Sequence, residues 1–320
     1  VIDRAVLDTA ARKAPFTRGR FEELPDAPRL AHPYFQTEAH SVRVESPDFG
    51  PINVHYRQWG SGPPLLLVHG LMTSSYSWRY VLDGLGKKFR LTIPDLPGAG
   101  RTDKPACRYG AAALARFVGD FQRATGIVGC RAIGNSLGGY LCMRHALEAP
   151  EAFARLVNVH SPGVPDWRIR LLHVALAVPG VARGLAWWIR QSPQRWAHRH
   201  VHYHDETLKS LEEAREYGAP LSTVEGSRAL VRYLSDTVAP GAMTEFLRAL
   251  EERRAKGSGF PIPLLLIYSE QDPMVPPSVG DMLSKLLPSV PYKRIADTSH
   301  FTHVDSPERL MAEVLPFLEG

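Results

Sequence analysis

One short stretch limits what this 320-residue chain can be more than any other. Gly134-Asn135-Ser136-Leu137-Gly138, with Gly139 directly behind it, stands between a short apolar run, Cys130 to Ile133, and a helical pattern, Tyr140 to Glu148. G-x-S-x-G between a strand and a helix is a sharp turn that lifts a serine hydroxyl clear of a sheet, with glycines where side chains would collide. The start of the following helix also favours negative charge developing beside Ser136. A serine at its ordinary pKa is a weak nucleophile, so a base and an orienting acid must follow if the turn does chemistry.

Both follow in the expected order. The run Leu264 to Ile267 leads into Tyr268-Ser269-Glu270-Gln271-Asp272-Pro273, which puts Asp272 in a loop at a strand's C-terminal edge, with Glu270 as the runner-up acid. Tyr292 to Ile295 leads into Asp297-Thr298-Ser299-His300-Phe301-Thr302-His303, which makes His300 the candidate base and His303 its runner-up. Ser136, Asp272 and His300 thus stand in serine, acid, histidine order. Acyl transfer also needs donors for an oxyanion. His69-Gly70-Leu71-Met72, after the apolar run Leu65 to Val68, offers the backbone N–H of Leu71, and the residue after the nucleophile offers that of Leu137.

The wider pattern is strand and helix in alternation. Ser41 to Glu45 and Ile52 to Tyr56 alternate apolar and polar residues, whereas Leu65 to Val68, Arg90 to Ile93, Cys130 to Ile133, Leu156 to Val159 and Leu264 to Ile267 are short, mostly apolar runs. Such runs separated by helices such as Pro307 to Leu318 predict an α/β fold with a mostly parallel sheet covered on both faces. Between Val159 and Leu264 about a hundred residues carry no convincing strand. The expected organisation is an N-terminal extension over 1–37, a core over 38–160, an inserted helical lid over 161–259 and the rest of the core over 260–320. Within the extension, Ile2, Val6 and Ala10 are spaced as on a helix, followed by a Pro-punctuated stretch.

Composition narrows the function classes. A hydrophobic share of 44% with 22% charged residues is that of a globular chain, and a net charge of +5 without a long basic run speaks against nucleic-acid binding. Cys107, Cys130 and Cys142 form no C-x-x-C pair, which suits a reducing cytoplasm and no zinc ribbon. Asp3, Arg4 and Asp8 interrupt the start of the chain, so neither a secretory signal nor a membrane anchor is expected.

Together these residues resemble the α/β-hydrolase fold superfamily from about Ser41 to Gly320. His69 to Arg79 and Pro94-Asp95-Leu96-Pro97-Gly98-Ala99-Gly100-Arg101-Thr102-Asp103-Lys104-Pro105 are similar to the haloalkane dehalogenase and epoxide hydrolase branch. That branch uses an aspartate nucleophile, whose alkyl ester is hydrolysed at its carbonyl; Ser136 attacking an alkyl carbon would give an ether with no such exit. The turn around Ser136 resembles serine members instead: esterases, pheophytinase-like hydrolases and carbon–carbon hydrolases of aromatic meta-cleavage pathways. The last group carries a Gly-Pro-Gly-type segment after the oxyanion His-Gly, where this chain reads Leu71-Met72-Thr73.

The expected activity is therefore hydrolysis of a carboxylic ester of a hydrophobic substrate through an acyl-enzyme on Ser136, with no metal, organic cofactor or nucleic acid. Carbon–carbon or thioester cleavage with the same triad, and a ligand receptor on the same fold, are the alternatives. In the lid, Leu171, Leu172, Val174, Leu176, Val178, Trp187, Trp188 and Trp196 either wall an acyl pocket or pack the lid on itself. His198, His200, His202 and His204 offer i, i+4 pairs but no H-E-x-x-H pattern, and are expected to form a solvated, titrating face.

Overall fold

The computed structural model describes residues 14–163, 167–237 and 239–320; the helical spacing at Ile2, Val6 and Ala10 lies outside them. The alternating stretches and the apolar runs become strands, and Tyr292 to Ile295 adds an eighth: β1 (Glu38–Ser46), β2 (Gly50–Trp59), β3 (Pro64–Val68), β4 (Arg90–Pro94), β5 (Cys130–Asn135), β6 (Phe153–Val159), β7 (Leu264–Ser269) and β8 (Tyr292–Ile295). They form one sheet in the order β1-β2-β4-β3-β5-β6-β7-β8. β2 runs antiparallel to β1 and β4, and every other pairing is parallel.

Successive strand residues point to opposite faces, so an apolar run with both faces covered feeds two cores. Leu66, Val68, Ala132, Leu156 and Leu266 pack with the helices Ala111–Thr125 and Leu137–Glu148. Leu65, Leu67, Ile133, Val157 and Ile267 pack on the other face with Leu82, Leu85 and the C-terminal helix Pro307–Glu319. The parallel arrangement brings the ends of β3, β5, β6, β7 and β8 to one edge, the position where open α/β sheets bind ligands.

Between β6 and β7 the chain is helical: Trp167–Ala177, Val181–Gln191, Pro193–His200, Leu211–Gly218, Val224–Asp236 and Pro240–Ala255. Side chains cap two of these helices, Ser210 accepting from Glu213 N–H and Thr223 from Gly226 N–H. Leu176, Ala186, Ile189, Leu221, Leu230 and Val231 form a small core of their own, against which Leu71 and Met72 of the β3 turn also pack.

Two attachments of this helical segment come from charge and backbone pairing. Arg79, from the loop after β3, is fully buried 2.6 Å from Glu213, with its guanidinium 4.5 Å from the ring centres of both Tyr76 and Tyr80. Residues 14–37 lie along the same segment. Phe16 N–H donates to His204 O (3.0 Å), Leu211 N–H to Pro25 O (2.8 Å) and Glu212 N–H to Asp26 O (3.1 Å), while Arg29 pairs with Asp205 at 3.0 Å.

The four histidines belong to this seam and do not form the solvated face expected of them. His198 is buried, with Nε2 3.1 Å from Gly19 O and its ring against Phe21; His200 stacks on Trp196; His202 reaches Glu206; the His204 ring meets Phe16 edge-on. Burial, foremost, pulls His198 and His200 below the usual imidazole pKa.

Candidate active site

Ser136 follows β5 directly and sits at φ 54°, ψ −121°, a conformation that costs a non-glycine residue of order 1–3 kcal/mol. The surroundings impose it. Ser136 N–H donates to Val159 O at 2.7 Å, and Ser136 O accepts from Tyr140 N–H at 3.0 Å, the first bond of the helix that begins at once at Leu137. The flanking glycines have no room for a side chain: a Cβ on Gly138 would lie 2.2 Å from Val68 O, and one on Gly134 would lie 2.5 Å from Gly139 N. The turn is thus wedged between β3 and its own helix.

The β3 turn closes on the serine from the other side. A Cβ on Gly70 would come within 3.0 Å of Ser136 Cβ. His69 fixes this turn: Leu96 N–H donates to its Nε2 at 3.0 Å, which leaves the proton on Nδ1 to bond Gly70 O at 2.8 Å. Burial keeps His69 neutral by lowering its pKa. Met72 then turns through φ 66°. The backbone N–H groups of Leu71 and Leu137 have no acceptor among the described residues, as a pair awaiting an oxyanion would.

Asp272 and His300 meet across the β7 and β8 loops. His300 Nδ1–H donates to Asp272 Oδ2 at 2.6 Å, both side chains being buried, and this fixes the proton on Nδ1 and leaves Nε2 as the basic nitrogen. The other carboxylate oxygen accepts from Met274 N–H (2.7 Å) and Val275 N–H (2.9 Å). Burial alone would raise the Asp272 pKa, but the imidazoles of His300 and His160 outweigh it and hold the carboxyl well below its usual range. Of the runners-up, Glu270 is exposed, while His303 is buried under Trp78 with neither ring nitrogen bonded. Burial, then Arg79, holds His303 far below the ordinary imidazole pKa.

Two supporting residues escaped the sequence reading. Asn135 donates to the His300 carbonyl at 3.1 Å, tying the histidine loop to the turn that carries Ser136. His160, at the end of β6 with φ 59°, places Nδ1 3.3 Å from Asp272 Oδ2 and Nε2 2.8 Å from Thr302 Oγ1. Ser269 N–H points at the same Nδ1 from 3.2 Å. Its place at a strand's C-terminal edge is the signal that could have found it.

His160, Asp272 and His300 have ligand-type atoms within 4.8 Å of one another and are the one such cluster among the described residues. At 2.6 Å, the His300 nitrogen and the Asp272 oxygen are too close for an ion about 2.1 Å from each to keep a tetrahedral angle. The pair is built for a proton.

A narrow cavity ends on Gly70 to Ser74. Its other walls are Gly98 to Gly100 and, from the helical segment, Glu216, Tyr217, Pro220, Leu221, Leu230 and Tyr233. Trp187, Trp188 and Trp196 do not line it. Trp187 and Trp188 are 57% and 49% exposed, and Trp188 and Trp196 border a separate surface cleft together with Arg18 to Glu22. Leu172 and Leu176 pack inward, whereas Leu171, Val174 and Val178 point out.

The chain is 25% identical over 300 residues to bifunctional epoxide hydrolase 2 of Sus scrofa; the match covers 84% of this chain and only 53% of that protein. It is 28% identical over 259 residues to the pimeloyl-[acyl-carrier protein] methyl ester esterase of Yersinia pseudotuberculosis, covering 80% of this chain and 93% of the esterase. Haloalkane dehalogenase DbeA from Bradyrhizobium elkani superposes with a TM-score of 0.73 at 22% identity, over 89% of this chain and 98% of the dehalogenase. Residues 63–307 match the family model of the α/β hydrolase fold, and the chain belongs to that family.

Proposed function

We propose that this protein hydrolyses carboxylic esters of hydrophobic substrates, with Ser136 as nucleophile, His300 as base and Asp272 as the acid that orients it. The observation that carries this reading is the His300–Asp272 bond of 2.6 Å on a loop that Asn135, the neighbour of the strained Ser136, holds by a bond of 3.1 Å to the His300 carbonyl. His300 Nε2 takes the Ser136 proton as Oγ attacks the ester carbonyl, and the tetrahedral oxyanion is received by the Leu71 and Leu137 N–H groups. The imidazolium then protonates the departing alcohol. Water, deprotonated by His300, releases the acid from Ser136 by the same steps in reverse order.

Among the chemistries named for the relatives, a serine favours the ester. Attack of Ser136 on an epoxide carbon would leave an ether on the enzyme, which lacks a carbonyl for water to attack. The cavity beside Leu71 and Met72, walled by Leu221, Leu230 and Tyr233, is apolar enough for an acyl or alkyl group. We take the helical segment over it as a lid. The deciding experiment is turnover of aryl esters, acyl thioesters and vinylogous 1,5-diketones, alongside labelling by a fluorophosphonate. Labelling of Ser136 with ester turnover supports the reading, preferred cleavage of a diketone transfers it to carbon–carbon hydrolysis, and absence of both labelling and turnover makes the fold a binding module.

A further inference from the structure

The helices Trp167–Ala177 and Val181–Gln191 are apolar on both sides, and only one side is accounted for. Their inner side, through Leu176, Ala186 and Ile189, packs on Leu230 and Val231. Leu171, Val174, Val178, Val181, Trp187 and Trp188 are left exposed on and between them, six of the nine large apolar side chains exposed among the described residues. Scattered exposed leucines need no explanation, but six large apolar side chains exposed between residues 171 and 188 mark an interaction surface.

Charge indicates the partner. From residue 167 to residue 204 the sequence holds six arginines and no aspartate or glutamate. Arg183, Trp187 and Arg190 follow each other at i, i+4 and i+7 on the second helix, so cationic heads border the apolar strip. No single helix among the described residues is long and apolar enough to cross a membrane, and the two helices are bent 100° from one another at Pro179-Gly180. An apolar strip with tryptophans, flanked by arginines and too short to span, has the composition of an element lying in the interface of a bilayer. A second copy fits poorly, because the same stretch of the other chain holds no aspartate or glutamate to meet these arginines.

We infer that this outer face docks the protein on an anionic lipid bilayer, with Trp187 and its apolar neighbours entering the headgroup boundary and Arg183 and Arg190 meeting lipid phosphates. The inference does not depend on the ester reading. It places the apolar face of the two helices in lipid while their inner side holds Leu71 and Met72. Docking then orients the cavity's helical wall toward the bilayer in which a lipophilic substrate would dissolve.

The test is flotation of the full chain with vesicles of phosphatidylcholine and phosphatidylglycerol in equal parts, compared with phosphatidylcholine alone, at low and raised salt. The wild type is expected to float with the anionic vesicles and to release as salt rises. Arg183→Gln with Arg190→Gln should weaken partitioning about 25-fold, roughly fivefold for each arginine near an anionic surface. Val174→Ser with Trp187→Ser should abolish flotation with an unchanged melting curve, both side chains being exposed. The inference is overturned if the wild type stays in solution at low salt, if it floats equally with neutral vesicles, or if both variants float like the wild type. It is also overturned if the wild type is a dimer that Trp187→Ser converts to monomer, since the face then belongs to a second copy.

Discussion

The edge of the sheet that carries Ser136 and the helical segment that covers it are held by different forces. At the edge, position is set by backbone: Gly134, Gly138 and Gly139 admit no side chain, and Ser136 is fixed by a bond at each side of its peptide. Over the cavity, position is set by side chains from distant parts of the chain, with the buried Arg79–Glu213 pair and the 14–37 segment as the main ties. Backbone wedging tolerates almost no change at the glycines and needs no partner elsewhere. A tie made of buried charge is only as good as its geometry, and losing one member leaves the other stranded.

The largest expected effect breaks the chemistry and leaves the wedge. Ser136→Ala should cut ester turnover by about a thousandfold or more, with an unshifted melting curve and no fluorophosphonate labelling. Asp272→Asn should cost on the order of 10⁴-fold in kcat, since the amide would favour the wrong imidazole tautomer, whereas exposed Glu270→Gln should cost little. Reversal of those two would make Glu270 the acid.

The next effect falls on the other region. Glu213→Gln leaves the Arg79 guanidinium buried without its counter-charge and should lower stability to urea by about 3–5 kcal/mol. The double substitution Arg79→Met with Glu213→Leu should recover much of that loss. If the double variant were no better than the single ones, the pair would be a net attraction, and the contrast with the backbone-held edge would narrow.

What could be read in the sequence divides along the same line. The turn, the order of serine, acid and histidine, and the apolar strands are local patterns, each set by a few consecutive residues. In the structure β5 leads directly into Ser136, and His300 bonds Asp272. Nothing local marks Glu213 as the partner of Arg79, 134 positions away, or Gly19 as the partner of His198. A solvated histidine face is the expectation because polar residues at helical spacing are normally wet; here Gly19 and Phe21 cover His198, Phe16 meets His204, and Trp196 and Glu206 engage His200 and His202. His160 and Asn135 escaped notice for a similar reason, since they act on groups brought close only by the sheet.

Two carboxyls, buried Asp272 and half-buried Asp305, sharpen the comparison through pH. Asp272 has a folded pKa below its unfolded one, so its contribution to stability is present above about pH 4 and is lost as pH falls further. Asp305 behaves oppositely. It accepts from Ser299 N–H of the histidine loop and from His204 and Asp205 N–H of the helical segment, yet burial pushes its pKa up to about 7. Its folded form holds a proton that the unfolded form has released, so stability declines between about pH 4 and pH 7. Asp305→Asn should flatten the melting temperature across that window; an unchanged slope would assign the decline to other groups.

The smallest effect concerns which wall of the helical segment meets the substrate. Leu230 is nearly buried and lines the cavity beside Leu71, whereas Trp187 points to solvent. Leu230→Ala removes the end of a buried side chain and adds room where an acyl chain would lie. Some of that room will be lost to relaxation, so the gain for a longer ester should be about 1 kcal/mol, near fivefold in kcat/KM relative to an acetate ester. Trp187→Ala should leave the ratio of long to short esters as it was when both are supplied in free solution, because its ring borders no part of the cavity. The measurement is that ratio for wild type and each variant, with a melting curve beside it. A ratio that moves with Trp187 and not with Leu230 would shift the acyl site to the tryptophan side of the lid, and the cavity beside Leu71 would then be a packing defect between lid and core.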